Sequence, residues 1–107
     1  RDMDARGLMN FKLGETPFDP ISKITNSNEG YICASGDSFV QSSVEIDCDI
    51  VDMEAYSFAK VCKLNNIKFR CFKYISDYAN ENSNNDWIDN CSKGAKLFSE
   101  IYPQLKI

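Results

Sequence analysis

Histidine is absent from all 107 residues. That absence excludes Ser-His and Cys-His nucleophiles and every His-ligated metal site. Paired CxxC motifs are also missing. The five cysteines, Cys33, Cys48, Cys62, Cys71 and Cys91, are odd in number and stand 15, 14, 9 and 20 residues apart. Such spacing argues against a disulfide framework and a zinc ribbon. They read as reduced, buried, small hydrophobes of a cytoplasmic protein. There is no basic run: 12 Lys+Arg stand against 16 Asp+Glu for a net charge of −4, which excludes a nucleic-acid footprint. No apolar stretch is long enough to span a membrane, and no charged-then-apolar leader is seen. The match Asn90-Cys91-Ser92 to a glycosylation acceptor carries little weight without a secretory context. The chain opens Arg1-Asp2-Met3 without an initiator Met, as a processed form, a cloned piece or part of a longer chain would.

What is present suits one domain. A chain of this size buries roughly two thirds of its unfolded surface, enough for one modest core. Met3 to Leu13 alternates enough to read as a strand, and Glu15 to Asn28, with Pro17 and Pro20, as a loop. Gly30 to Ala34 is a short strand ending in the turn Ser35-Gly36-Asp37. Asp49 to Val51 is another. Met53 to Leu64 follows with a polar stripe at Ser57, Lys60 and Lys63, helical spacing with most of its circumference apolar. Asn65-Asn66 stops that helix, and Ile67 to Ile75, rich in aromatic and β-branched residues, reads as a strand. Asn80 to Asp86 has the composition of a polar loop, and Trp87 to Tyr102 the periodicity of an amphipathic helix. Strand, helix and strand between Asp49 and Ile75 make one βαβ unit with parallel strands. The class is α/β.

In open α/β sheets, ligands bind beyond the carboxyl ends of the strands. Three segments follow the expected strands in this way: Ser35 to Val40, Asp52 to Ala55, and Ser76-Asp77. They carry two carboxylates, Glu54 and Asp77, and an aromatic, Phe39. Without histidine, these carboxylates are the candidates for acid–base or hydroxyl-binding work. Each residue also has a plainer reading. Glu54 in a first helical turn complements the helix dipole, Asp77 caps a turn, Phe39 fills a core, and Ser35 to Ser38 is an ordinary turn.

Together the segments resemble a known family. Ala34 to Val40, Val51-Asp52-Met53-Glu54-Ala55 and Lys73 to Ala79 are similar to the carboxyl-terminal half of the 5′-methylthioadenosine/S-adenosylhomocysteine nucleosidases, within the nucleoside phosphorylase superfamily. Arg1 to Arg6 resembles that family's central strand, and the 23 residues from Met53-Glu54 to Ser76-Asp77 fit its spacing. The resemblance implies a part of a three-layer α/β/α sandwich around a mixed, largely parallel sheet. It implies that Asp77 is the general acid protonating adenine N7 and that Ser76 orients its carboxyl. Glu54 would accept the ribose hydroxyls, Met53 would pack on the ribose, Phe39 would stack on the purine and the Val40 backbone would read its Watson–Crick edge. Trp87 would stand near the alkylthio group. The activity implied is N-glycosidic hydrolysis releasing adenine, a step of methionine salvage. It needs no metal or organic cofactor, and the enzyme would be a cytoplasmic homodimer without nucleic-acid or membrane partners.

The chain departs from the family pattern in three respects. Asn80 stands where the family often has Asp, and the Pro17 to Gly30 segment is short for a helix usual there. The family's amino-terminal half, with a water-activating Glu and a Gly-rich turn, has no counterpart in these residues. The 107 residues alone are therefore expected to be inactive and poorly folded. A phosphorylase of the same superfamily, and a nucleoside-binding domain without catalysis, are the rival readings.

Overall fold

The computed structural model describes residues 23–105. The strand expected over Met3 to Leu13 and the resemblance at Arg1 to Arg6 lie outside them. The described residues form two compact units, one of residues 23–39 and 44–71, the other of 40–43 and 72–105.

In the first unit, β1 (Cys33–Ser35) and β2 (Ile50–Asp52) pair in parallel, with Ala34 opposite Val51. Their apolar cores, Ile32 to Ala34 and Ile50-Val51, are the short runs legible in the sequence. Asp49 fixes where pairing begins. Its carboxylate accepts the Ile32 N–H at 2.7 Å and its own N–H donates to the Ile32 carbonyl at 2.8 Å. At the other end the Gly36 N–H donates to the Asp52 carbonyl at 3.0 Å.

Helix α1 (Ala55–Leu64) follows β2 directly. A helix starts with N–H groups that have no partner within it. Here the sheet ends supply them. The Ala55 N–H donates to the Asp52 carboxylate at 3.0 Å and the Tyr56 N–H to the Ser35 hydroxyl oxygen at 2.9 Å. The Ser35 hydroxyl in turn donates to Asp52. The helix buries Ala55, Tyr56 and Ala59 and packs against β1. Its end is a Schellman motif. Asn66 takes a φ of 56°, the Ile67 N–H reaches the Cys62 carbonyl at 2.8 Å, and the Asn66 N–H reaches Lys63 at 3.3 Å.

Two sequence expectations change here. The helix does not bury most of its circumference: Phe58, Val61 and Leu64 are each more than half exposed. Among the described residues the sheet it packs on has two short strands, which cover only one side of the helix. Nor is Ile67 to Ile75 a strand among the described residues, so the βαβ unit from Asp49 to Ile75 is not formed. The parallel partner of β2 is β1. Aromatic and β-branched content favours a strand only where a neighbouring strand is there to pair with it.

In the second unit, α2 (Ser83–Ile101) passes into a single 3₁₀ turn at Tyr102–Gln104, where Pro103 ends regular helix. It begins inside the expected polar loop. The Ser83 hydroxyl oxygen accepts the Asn80 N–H at 2.7 Å, the Ser83 N–H donates to the Asn80 carbonyl at 3.0 Å, and the Asn80 side chain accepts the Asn82 N–H at 2.9 Å. The Asn and Ser cluster is thus a helix start, since the residues that favour turns also favour caps. Asp86 in the first turn complements the helix dipole. The cysteines are all free, as expected, but none is fully buried, and Cys71 and Cys91 are exposed. Among the described residues no helix is long and apolar enough to cross a membrane.

Candidate active site

The first unit carries Phe39, Met53 and Glu54. Phe39 lies four residues past β1, and Met53-Glu54 form the joint between β2 and α1. Both segments therefore leave the carboxyl ends of parallel strands, where α/β sheets place ligands. Phe39 and Met53 are 42% and 43% exposed, too open for core residues. Glu54 is the N-cap residue of α1, but its side chain makes no capping hydrogen bond. Asp52 and Ser35 do that work, so capping does not account for Glu54. The sequence offered a sign of this: an Asp just before a helical pattern is a standard start signal.

The second unit carries Val40, Ser76, Asp77 and Trp87. Ser76 and Asp77 are in direct contact. The Ser76 hydroxyl donates to Asp77 Oδ2 at 2.7 Å, and the Ala79 N–H donates to Oδ1 at 2.8 Å. Ala79 adopts a φ of 53° in making that bond. Burial pushes the Asp77 carboxyl up; hydrogen bonding, led by Ser76 and Ala79, outweighs it and holds the group below its ordinary value. The carboxylate is therefore ionised at neutral pH. Its bonds stabilise the fold above about pH 4 and are lost as the pH falls through the lowered value.

Among the described residues Ile67 to Ile75 is in no strand, and no sheet edge reaches Ser76-Asp77. Helix α2 holds it instead. The Asn90 side-chain amide donates to the Ser76 carbonyl at 2.9 Å, and the Lys93 ammonium donates to Asn90 Oδ1 at 3.1 Å. Gly94 lets the Tyr74 ring lie against the helix: a methyl group there would meet Tyr74 Cδ1 at 2.8 Å and Cγ at 3.0 Å. Ser83, Asn90 and Gly94 did not stand out in the sequence. Their spacing did carry a signal, since with Trp87 the steps are four, three and four residues, one face of a helix. Trp87 itself is 48% exposed.

Gly94→Ala tests this packing. Ala is the better helix former by about 1 kcal/mol, but the obstructing Tyr74 atoms lie at the base of the ring and yield poorly. Overpacking of this kind costs about 1–3 kcal/mol. The variant should melt at lower temperature than the wild type in calorimetry; a higher midpoint would mean that the ring swings away freely.

Among the described residues no group of three or more Cys, Asp or Glu is arranged to hold a metal ion. What the second unit offers is a carboxylate oriented by the Ser76 hydroxyl and the Ala79 N–H. The first offers a carboxylate and two accessible apolar side chains at strand ends.

Comparison with known proteins agrees with the part of the chain where these features lie. No curated protein and no solved structure matches it. A family model does, over residues 31–105, from the edge of β1 to the end of the 3₁₀ turn. On that match, which covers more than half of the sequence and includes every candidate residue above, the chain belongs to the phosphorylase superfamily.

Proposed function

We propose that the protein hydrolyses the N-glycosidic bond of 5′-methylthioadenosine and S-adenosylhomocysteine, releasing adenine. Membership of the phosphorylase superfamily supports a nucleoside-processing role. The observation that carries the finer reading is the Asp77 carboxylate held by Ser76 and Ala79. Breaking the bond between the ribose C1′ and adenine N9 sends an electron pair into the base and leaves an oxocarbenium-like sugar. In this reading Asp77 delivers a proton to N7 as that pair arrives, so the base leaves neutral. The oxygen of a water molecule bonds to C1′ and loses its proton to a further base, which the resemblance assigns to the family's amino-terminal half. Glu54 accepts hydrogen bonds from the ribose diol, and Met53 packs on the sugar. Phe39 stacks on the purine, the Val40 backbone reads its edge, and Trp87 borders the alkylthio group.

The ionised state of Asp77 is compatible with this role. Burial is the largest single influence on the carboxyl and acts to raise its pKa. A purine laid over it would remove more water and drive it toward proton uptake. The reading takes the described elements as part of a three-layer sandwich. It also takes the enzyme as a cytoplasmic homodimer, in which five free cysteines stay reduced.

The test is to incubate the complete protein with 5′-methylthioadenosine, with and without inorganic phosphate, and to follow adenine and sugar products. Hydrolysis predicts adenine and free methylthioribose at a rate indifferent to phosphate. Strict dependence on phosphate, with a sugar 1-phosphate formed, would make the protein a phosphorylase. Binding without turnover in either buffer would make it a nucleoside-binding domain.

A further inference from the structure

We propose that Asn90 is a positioning residue for Asp77: from the middle of α2 it fixes the peptide bond through which the chain enters the carboxylate's turn. The proposal rests on Asp77 being the acid of the reaction above. It begins from what the turn does not fix by itself. The Ser76 hydroxyl and the Ala79 N–H hold the carboxylate at 2.7 and 2.8 Å, but they belong to residues one and two positions away. Those bonds set the carboxylate relative to its own turn. Setting the turn relative to the rest of the unit takes a bond from further along the chain. The Asn90 side-chain amide supplies one from fourteen residues on, donating to the Ser76 carbonyl at 2.9 Å. That carbonyl is part of the planar peptide unit joining Ser76 to Asp77, so holding its oxygen holds the direction in which Asp77 starts.

Two neighbours make Asn90 suited to this. The Lys93 ammonium, one turn on, donates to Asn90 Oδ1 at 3.1 Å. An ammonium can only donate, so it takes the amide oxygen and leaves the NH₂ group facing the carbonyl. Gly94 lies one helical turn beyond Asn90 and carries the Tyr74 ring against it. Tyr74 meets Gly94 and Ser76 meets Asn90, so an apolar contact and a polar one sit side by side. The segment cannot slide along α2 without losing both. Asn90 itself is only part-buried, and its amide bonds to Ser76 and Lys93, not to the Asp77 carboxylate. The influences on Asp77 are burial and neutral hydrogen-bonding groups, with no charged side chain among them. A change in its titration therefore reads the geometry of those bonds and not the loss of an ion pair.

The experiment compares Asn90→Ala, Asn90→Ser, Asn90→Gln and Asp77→Asn in the complete protein. It reads kcat and KM for 5′-methylthioadenosine, and the Asp77 carboxyl titration by carbon-13 NMR without substrate. Displacing a reacting group by about 1 Å can cost about 10²-fold, so Asn90→Ala should lower kcat by about 10- to 100-fold. KM should stay within about twofold, because the Asn90 bonds go to Ser76 and Lys93. As the turn loosens, the bonds from Ser76 and Ala79 weaken and the Asp77 titration should move up toward the ordinary carboxylate range. Alanine favours a helix interior, so α2 should survive the change. Asn90→Ser, too short to reach the carbonyl, should behave alike and decides the matter if Asn90→Ala does not fold. Asn90→Gln keeps the donor on a longer stem, and both kcat and the titration should lie between Ala and wild type. A titration unmoved in the Ala and Ser variants, or a kcat within about threefold of wild type, would reduce Asn90 to a helix-surface residue and overturn the proposal. Turnover retained by Asp77→Asn would instead sink the acid assignment, and the titration would still show whether Asn90 governs the carboxyl.

Discussion

Replacing Asp77 by Asn should lower adenine release by about 10²–10⁴-fold, the usual cost of losing a positioned general acid. The fold should survive the change. An Asn carbonyl can still accept the Ala79 N–H, and its amide can face the Ser76 hydroxyl, which is free to rotate and accept. Circular dichroism and the melting midpoint should therefore stay close to wild type while turnover is lost. The pH profile gives a second check. The free protein holds Asp77 ionised, below its ordinary value, so the catalytic proton must be taken up on the way to the transition state. Wild-type kcat/KM should therefore fall as the pH rises above that value, and the residual rate of Asp77→Asn should lack this dependence. Near-normal turnover in the variant would remove Asp77 from the mechanism.

Glu54→Gln should weaken transition-state stabilisation by about 2–4 kcal/mol if the carboxylate holds the ribose diol, as charged acceptors do in closed sites. Its place explains why the substitution is informative. Glu54 is the N-cap of α1 without being its capping side chain, so the helix does not need the carboxylate for its start. One structural explanation is a charge near the positive end of the helix, worth about 0.3–1 kcal/mol at an exposed position. The two accounts differ in how they treat the substrate. A 2′-deoxy or 3′-deoxy substrate should lose less in Glu54→Gln than in wild type, because the contact it lacks is already gone. Equal losses in both backgrounds would show that Glu54 serves the helix.

The parts legible in the sequence were those decided by near neighbours. Gly30 to Ala34 and Asp49 to Val51 are short runs bounded by turn residues, and β1 and β2 begin within them. Asn65-Asn66 ends α1 because Asn tolerates a positive φ, which Asn66 adopts. Where distant partners decide, local reading failed. Ile67 to Ile75 has strand composition but no ladder among the described residues, and Phe58, Val61 and Leu64 look like core but are exposed. The Asn80 to Asp86 cluster misled differently, because one chemistry makes both loops and helix starts. For the site, Ser76-Asp77 and Met53-Glu54 could be singled out from motif and spacing. Their supports could not. Ser35, Asp52, Ser83 and Asn90 act through bonds to residues three to twenty-one positions away, and only the fold shows which pairs meet.

The junction at Ser35 has a kinetic consequence. One hydroxyl from β1 is bonded at once to Asp52 of β2 and to the backbone of Tyr56 in α1. None of the three elements can detach without breaking bonds of the others, so they should open as one cooperative block rather than fray in turn. Met53 and Glu54 span the short backbone between two of those attachment points. Although accessible, they should move with that block rather than as an independent surface loop. If Met53 and Glu54 hold the sugar as proposed, a backbone movement large enough to release it should wait for the block itself to open, whose lifetime would then limit the exchange of ligand on that side.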